Sequence, residues 1–234
     1  MTSLVGARLN AFVDMAYLHG RRPEVLAQQL CDGGADLIQL RAKGLPPAEV
    51  QRLAERILPI TERAGVGLVI NDHPAVALAV GAPYCHLGQD DFFGAGYTHV
   101  SELLAALSQP STLNLQLLFG LSSHAPEQAQ RAVAADAAYL GVGPVYATGT
   151  KPTARPVTLN YVRWAAQHLP VPWFAIGGIN LENLDEVLAA GARRVCVVSA
   201  ILNAPDAAQA CQRFKERLLS APLPVTAAPA GAGD

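Results

Sequence analysis

The stretch Trp173–Ile201, WFAIGGINLENLDEVLAAGARRVCVVSAI, contains one complete strand–turn–helix–strand unit. Its two short apolar runs, at 173–176 and 195–198, do not alternate with polar residues, which is typical of parallel strands buried on both faces. The pattern between them, at 181–190, predicts a helix that ends before Gly191. This stretch therefore predicts a parallel β-α-β unit.

The same alternation of strand and helix recurs along the chain. We expect the other strands at 9–13, 36–40, 67–70, 84–87, 115–119 and 138–142, and the other helices at 22–32, 46–64, 74–80, 98–107, 126–135, 159–168 and 206–219. Ser123 and Asn180 are expected to cap the helices that follow them. No GxGxxG follows the first strand, so eight such units predict a closed (β/α)8 TIM barrel of the α/β class, in a single domain.

The composition excludes several classes of protein. Hydrophobic residues make up 51% and charged residues 15% of the chain, which excludes a disordered protein, and the net charge of −2 attracts neither nucleic acid nor an anionic membrane. Small-molecule substrates are the expected partners. The four cysteines have neither metal-ligand nor disulfide spacing and the start lacks a signal-peptide pattern, so the expected location is the cytoplasm. We expect the barrel to span 1–220 and the Ala/Pro/Gly-rich segment 221–234 to be a disordered tail.

Polar residues collect where the predicted strands end. In a barrel these positions converge on one pocket, so they predict an active site there. The candidates, in chain order, are Gln39, Arg41, Lys43, Asn71, Asp72, Asp91, Ser122, Thr148, Thr150, Lys151, Gly178, Val198 and Ser199.

Two carboxylates and three cations indicate the chemistry of that pocket. Asp72 and Asp91 follow neighbouring strands, and carboxylates without a thiol or histidine pair suit a hard cation such as Mg²⁺; the alternative is that each caps its own loop. Arg41, Lys43 and Lys151 suit phosphate oxygens, although any one of them could instead be a solvated surface cation.

The turns after the last two strands predict a phosphate site made by backbone N–H groups. Gly178 allows close approach of the backbone, and Val198 and Ser199 follow the next strand, although a Gly-Gly pair alone could be only a tight turn. Among the histidines, His86 is expected to be a hydrogen-bonded core residue, and His124 is the better acid–base candidate. The cysteines are expected to be structural.

Several multi-residue motifs together resemble the thiamine-phosphate synthase family from about Leu9 to Phe214. They are Gln39-Leu40-Arg41-x-Lys43, Asn71-Asp72, His86-Leu87-Gly88-Gln89-x-Asp91, Gly120-x-Ser122, Gly143-Pro144, Thr148-x-Thr150-Lys151, Gly177-Gly178-Ile179 and Val198-Ser199-Ala200-Ile201.

The resemblance implies a Mg²⁺-dependent transferase that joins 4-amino-2-methyl-5-hydroxymethylpyrimidine diphosphate to 4-methyl-5-(2-phosphoethyl)thiazole and releases pyrophosphate. It implies that Asp72 and Asp91 hold the metal. It assigns the pyrimidine diphosphate to Gln39, Arg41, Lys43, Asn71 and Lys151, with Ser122 near the leaving group, and the thiazole phosphate to Thr148, Thr150, Gly178, Val198 and Ser199. Arg41, Lys43, Ser122 and Lys151 are the implied catalytic residues.

The chain departs from this family pattern at four places. Ala42 stands where the family has an acid, His73 where it has an arginine and Ala147 where it has a proline, and the first strand lacks the aromatic start. These departures leave the implied metal and phosphate residues in place and bear on pyrimidine recognition.

Three other functions compete with the synthase. A thiazole tautomerase would use His124 without a metal, but Asp72 and Asp91 count against it. A non-catalytic thiazole-phosphate-binding regulator would not need Arg41, Lys43 and Lys151. A phosphate-binding barrel of histidine or tryptophan biosynthesis would share only the features of the last two strands.

Overall fold

A computed structural model of the chain describes residues 3–107, 117–150 and 155–221. Eight parallel strands pair in sequence order, and β1 also pairs with β8, so the sheet closes into a barrel. The strands are β1 (Leu9–Asp14), β2 (Leu37–Arg41), β3 (Gly67–Asn71), β4 (Tyr84–Leu87), β5 (Leu118–Ser123), β6 (Tyr139–Val142), β7 (Trp173–Ile176) and β8 (Val195–Val197). The TIM-barrel prediction is confirmed.

Helices cover the outside of the barrel. They are α1 (Pro23–Asp32), α2 (Pro47–Arg63), α3 (Pro74–Val80), α4 (Val100–Leu107), α5 (Pro126–Ala134), α6 (Thr158–His168), α7 (Leu184–Ala189), α8 (Ser199–Leu202) and α9 (Ala207–Ser220), with a 3₁₀ turn at Met15–Tyr17 and a π turn at Asp90–Gly94. None of the helices within the described ranges is long and apolar enough to cross a bilayer.

Each strand is buried on both faces, and its alternate side chains divide between the lumen and the helices. On β2, Gln39 and Arg41 line the central pocket, whereas Ile38 and Leu40 alternate with them and are fully buried. This period of two places the functional side chains of every strand in one lumen.

The fifth strand lies further along the chain than expected, and Ser123 does not cap a helix. β5 continues through Ser122 and Ser123, which pair with β6. The hydroxyl of Ser123 donates to the carbonyl of Gly141 at 3.1 Å and lies 2.8 Å from the hydroxyl of Tyr161. Because both serines have hydrogen-bond partners inside the fold, the strand tolerates them, and the predicted strand end at Phe119 was wrong. Residues 115 and 116 of the predicted strand lie outside the described residues.

Asn180 caps the turn that precedes α7 and not the helix itself, whose N-cap residue is Asn183, so its predicted role was wrong in position. The Oδ1 atom of Asn180 accepts hydrogen bonds from the backbone N–H groups of Glu182 and Asn183 at 2.8 and 3.0 Å. The backbone N–H of Leu184 donates to the Asn180 carbonyl.

Tyr139 fills the floor of the lumen. A Cβ atom at Gly120, its register partner on β5, would overlap with the tyrosine ring. The ring lies edge-on to Phe174 and tilted against His86, with centroid distances of 5.8 and 5.6 Å. Burial raises the pKa of Tyr139 well above its ordinary value, and its hydroxyl has no hydrogen-bond partner in the described part of the chain.

The two ends of the barrel sequence meet at the face opposite the pocket. Asp36 accepts hydrogen bonds from the backbone of Arg8 and Leu9 and pairs with Lys215. The guanidinium of Arg8 donates to the carbonyls of Leu218 and Ala221. Ala221, which we expected to begin the tail, is therefore part of the folded barrel; the remaining tail residues, 222–234, lie outside the described residues.

Candidate active site

One pocket opens at the carboxyl ends of the strands, as the clustering of polar residues predicts. The predicted residues that line it are Gln39, Arg41, Asn71, Ser122, Thr148, Thr150, Gly178, Val198 and Ser199. Phe12, His86, His124, Tyr139, Ile176 and Cys196 line it too. Lys43, Asp72 and Asp91 do not belong to this lining, and Lys151 lies outside the described residues.

Arg41 is a cation held inside the pocket. It ends β2 directly opposite Asp14 of β1, and its Nη1 lies 2.8 Å from Asp14 Oδ2. The arginine and aspartate side chains are only 13% and 2% exposed. Arg41 is therefore not a solvated surface cation.

Asp72 stands at the pocket rim in a strained backbone conformation. It follows β3 with a φ of +64°, a region that non-glycine residues rarely adopt and that is enriched at functional sites. Its carboxylate lies 3.3 Å from the half-exposed Nζ of Lys43 and does not cap α3, whose N-cap residue is His73. Asp72 therefore does not cap α3, and its carboxylate is paired with Lys43.

Asp91 lies on the π turn that follows β4. The neighbouring Phe92 is fully buried and packs edge-on to Phe93, which fixes the turn. The Oδ2 atom of Asp91 accepts a hydrogen bond of 3.2 Å from the backbone N–H of Gly88. Asp91 therefore does cap its own loop, and among the described residues this long hydrogen bond is the one that its side chain makes.

Ser122 and His86 form a hydrogen-bonded pair inside the pocket. The Nε2 atom of His86 lies 3.0 Å from the Ser122 hydroxyl, and Gly141 leaves room for the imidazole, because a Cβ there would lie 3.3 Å from it. His86 is hydrogen-bonded, as expected, but it faces the pocket rather than being confined to the core.

His124 lies in the pocket wall with a defined ring orientation. Its Nδ1 is hydrogen-bonded to the carbonyl of Gly143. Because a carbonyl oxygen only accepts hydrogen bonds, Nδ1 carries the hydrogen, and in the neutral ring Nε2 is the basic atom. His124 is thus able to act as a base if a substrate presents a proton to Nε2.

The far side of the pocket is made by the turns after β6, β7 and β8. Gly177 and Gly178 both have positive φ, and a Cβ on Gly178 would lie 2.6 Å from the carbonyl oxygen of Ala147. The side chain of Asn183 holds this turn by donating to the Gly178 carbonyl at 2.9 Å. Ser199 begins the short helix α8 beside it. The turn therefore requires glycine for its backbone and for its packing.

Comparison with known proteins decides the family. The family model described as thiamine monophosphate synthase matches residues 10–201. The chain belongs to this family. A thiamine-phosphate synthase of Thermus thermophilus is 44% identical over 187 residues, which cover 80% of this chain and 84% of the relative. That of Acidothermus cellulolyticus is 43% identical over 221 residues, which cover 94% and 98%.

A solved structure agrees with the assignment to the thiamine monophosphate synthase family. Thiamine phosphate pyrophosphorylase from Pyrococcus furiosus superposes with a TM-score of 0.78 at 28% identity, covering 91% of this chain and 96% of that one. The resemblance stated from the motifs is confirmed.

Three of the four departures from the family pattern lie outside the pocket lining. Ala42 is buried, and neither it, His73 nor Ala147 lines the pocket. The departure in the first strand does reach the pocket, because Phe12 lines it.

Sequence reasoning missed Tyr139, which lines the pocket, and Asp14, which pairs with the pocket residue Arg41. Asp14 directly follows the predicted first strand, and Tyr139 lies inside the predicted apolar strand at 138–142. A charged residue at the inward period of β1 was the available signal for Asp14. Cys196 also lines the pocket, but burial raises its pKa, so it stays a neutral thiol and a poor nucleophile.

Proposed function

We propose that this chain condenses 4-amino-2-methyl-5-hydroxymethylpyrimidine diphosphate with 4-methyl-5-(2-phosphoethyl)thiazole to give thiamine phosphate and pyrophosphate. The chain is a thiamine-biosynthetic transferase by its family and by the names of its relatives. One observation supports these two substrates best: the pocket has an anion-binding arrangement on each side. Arg41 ends β2 and Lys43 follows it, whereas the glycine turn and Ser199 follow β7 and β8.

The donor set fits Mg²⁺. Asp72 and Asp91 supply two carboxylates on the loops that follow the adjacent strands β3 and β4. Mg²⁺ commonly takes one or two carboxylates and completes its shell with water and substrate phosphates. When bound, Mg²⁺ supplies positive charge that stabilises the departing pyrophosphate.

The protein's own residues position the reactants and neutralise charge. Arg41 donates to the diphosphate, with Lys43 and Lys151 as further cations and the Ser122 hydroxyl near the leaving group. Gln39 and Asn71 supply amide groups for the pyrimidine diphosphate. The C–O bond to pyrophosphate breaks first, because the aminopyrimidine delocalises the positive charge left on its methylene carbon. The thiazole nitrogen then forms the new C–N bond, and its electron pair needs no base.

The thiazole phosphate lies on the other side of the pocket in this proposal. The backbone N–H groups at Gly178 and at Val198–Ser199 donate to its oxygens, and the hydroxyls of Thr148 and Thr150 add to them. The thiazole ring then lies between this phosphate site and the pyrimidine, so both reacting atoms meet above the floor made by Tyr139.

The test is to incubate the purified protein with both substrates and Mg²⁺ and to measure thiamine phosphate and pyrophosphate. We expect equimolar release of the two products, and none when either substrate is omitted. Failure to form thiamine phosphate with a folded protein would contradict the proposed function.

A further inference from the structure

Asp14 is a buried carboxylate whose two oxygens have different partners. Its Oδ2 accepts the hydrogen bond from Arg41 Nη1 at 2.8 Å, and its Oδ1 accepts one from the backbone N–H of Ala16 at 3.0 Å. The second bond caps the 3₁₀ turn that follows β1. The residue is 1% exposed, so the carboxylate cannot turn toward solvent.

The position of Asp14 determines which part of Arg41 faces the pocket. The two residues are register partners at the carboxyl ends of β1 and β2. A guanidinium has five N–H groups in a planar fork, and of the described residues only Asp14 bonds to the Arg41 side chain, through Nη1. The remaining donors stay available for an anion, in a plane that the carboxylate defines.

We propose that Asp14 is a positioning residue that orients Arg41 for the diphosphate of the substrate. This inference rests on the proposed function, because it takes the diphosphate as the ligand of Arg41. Asp14 itself contacts no substrate; it acts through the guanidinium.

Neutralising Asp14 has two physical effects on anion binding, and they act in opposite directions. If Asp14 acted only as a negative charge near the diphosphate, its neutralisation would remove a repulsion and strengthen anion binding. If Asp14 orients Arg41, its neutralisation lets the guanidinium leave the productive plane and weakens anion binding. The direction of the change therefore separates the two roles.

Asparagine is the informative replacement because it cannot satisfy both partners. Asp14 faces two donors, the N–H of Ala16 and Nη1 of Arg41. The asparagine amide has one oxygen and one NH₂ group, so either orientation places a donor against a donor. Asp14→Asn thus disturbs the arginine or the turn without changing side-chain size.

Asp36, at the other end of β2 from Arg41, provides a matched control. It immediately precedes β2, and its side chain is 12% exposed and paired with Lys215. Asp36→Asn removes a partly buried ion pair of similar kind far from the pocket. It should lower the melting temperature and leave both Michaelis constants unchanged.

The experiment combines steady-state kinetics with calorimetric titration of sodium pyrophosphate in MgCl₂, on the wild type, Asp14→Asn, Arg41→Ala, the double variant and Asp36→Asn. We expect Asp14→Asn to raise the KM for the pyrimidine diphosphate about tenfold and to weaken pyrophosphate binding similarly. The KM for the thiazole phosphate should change less than about twofold. In the Arg41→Ala background, Asp14→Asn should add almost nothing to the loss in kcat/KM, because its effect passes through the missing arginine.

Three results would overturn the positioning role: tighter pyrophosphate binding by Asp14→Asn, additive losses in the double variant, or a lowered melting temperature with unchanged KM. Failure of the proposed function gives a different result. A wild type that makes no thiamine phosphate but binds pyrophosphate through Arg41 and Asp14 would refute the reaction and leave the positioning role in place.

Discussion

Among single residues, Asp72, Asp91 and His124 distinguish a synthase from the alternative function, a tautomerase. The two carboxylates stand on the loops after β3 and β4, and Asp72 keeps a strained φ there. His124 has Nε2 as its basic atom, so a base is available if the chemistry needs one. The proposed condensation needs the carboxylates and does not need that base.

We therefore predict that Asp72→Asn and Asp91→Asn each lower kcat by roughly 10²–10⁴, about 3–5 kcal/mol of transition-state stabilisation, because each removes a charged metal ligand. EDTA should abolish activity and added Mg²⁺ should restore it. His124→Ala should have a milder effect. Metal-independent activity that disappears in His124→Ala would refute the synthase and support the tautomerase.

Replacing tyrosine by phenylalanine should change the free energy of unfolding in opposite directions at Tyr139 and at Tyr161. The buried Tyr139 hydroxyl has no partner within the described residues, and such a group costs about 1–3 kcal/mol. Tyr139→Phe should therefore raise the free energy of unfolding by about 1 kcal/mol, or the melting temperature by roughly 2–4 °C. Tyr161→Phe should lower both, because that hydroxyl is bonded to Ser123 and Ala125. Thermal denaturation measures both variants, and a less stable Tyr139→Phe would show that the hydroxyl has a partner such as ordered water.

Among the elements, the turn between β7 and α7 is both tightly packed and part of the proposed phosphate site. A branched side chain at Gly178 would block the backbone N–H groups of this turn. The structure adds a second obstacle, since any Cβ there meets Ala147 O at 2.6 Å and Tyr146 Cβ at 2.8 Å.

We predict that both Gly178→Ala and Gly178→Val raise the KM for the thiazole phosphate, the valine more strongly, and lower the melting temperature. Ser199→Ala should raise this KM less, because the backbone supplies most of the binding. Gly65→Ala is the matched control: its φ of +70° is similar, nothing lies within 4 Å of its Cβ, and it lies before β3 at the other end of the barrel. Gly65→Ala should lower the melting temperature and leave the KM for the thiazole phosphate unchanged. Unchanged thiazole phosphate affinity in a folded Gly178→Val protein would place the phosphate elsewhere.

The elements that follow from local patterns could be predicted, and those that depend on distant partners could not. β4, β7 and α3 have the expected bounds, because apolar runs and glycine or proline delimit them. β5 was displaced because the partners of Ser122 and Ser123 come from β4, β6 and α6. The ion pair of Asp14 with Arg41 was missed for the same reason, since the residues are 27 positions apart.

At the scale of the whole molecule, Ala221 is the last described residue of the barrel, and its carbonyl accepts a hydrogen bond from Arg8. We predict that a chain ending at Ala221 keeps its activity and melting temperature, because residues 222–234 are mostly Ala, Pro and Gly and offer no apolar face. A chain ending at Arg217 should melt several degrees lower, since it loses the fully buried Leu218 and both carbonyl acceptors of Arg8. Activity assays and thermal denaturation test both; a large loss of stability in the first truncation would contradict the disordered tail.

The contact of Arg8 with Leu218 and Ala221 also has a consequence for protein engineering. It brings the first and last strand–helix units together at the face opposite the pocket, so a short linker between them would span little distance. Circular permutants with new ends in an exposed loop on that same face, such as the one at Gly65, should then keep the barrel closed. Immobilising the barrel through a chain that ends at Ala221 would leave the pocket directed away from the support.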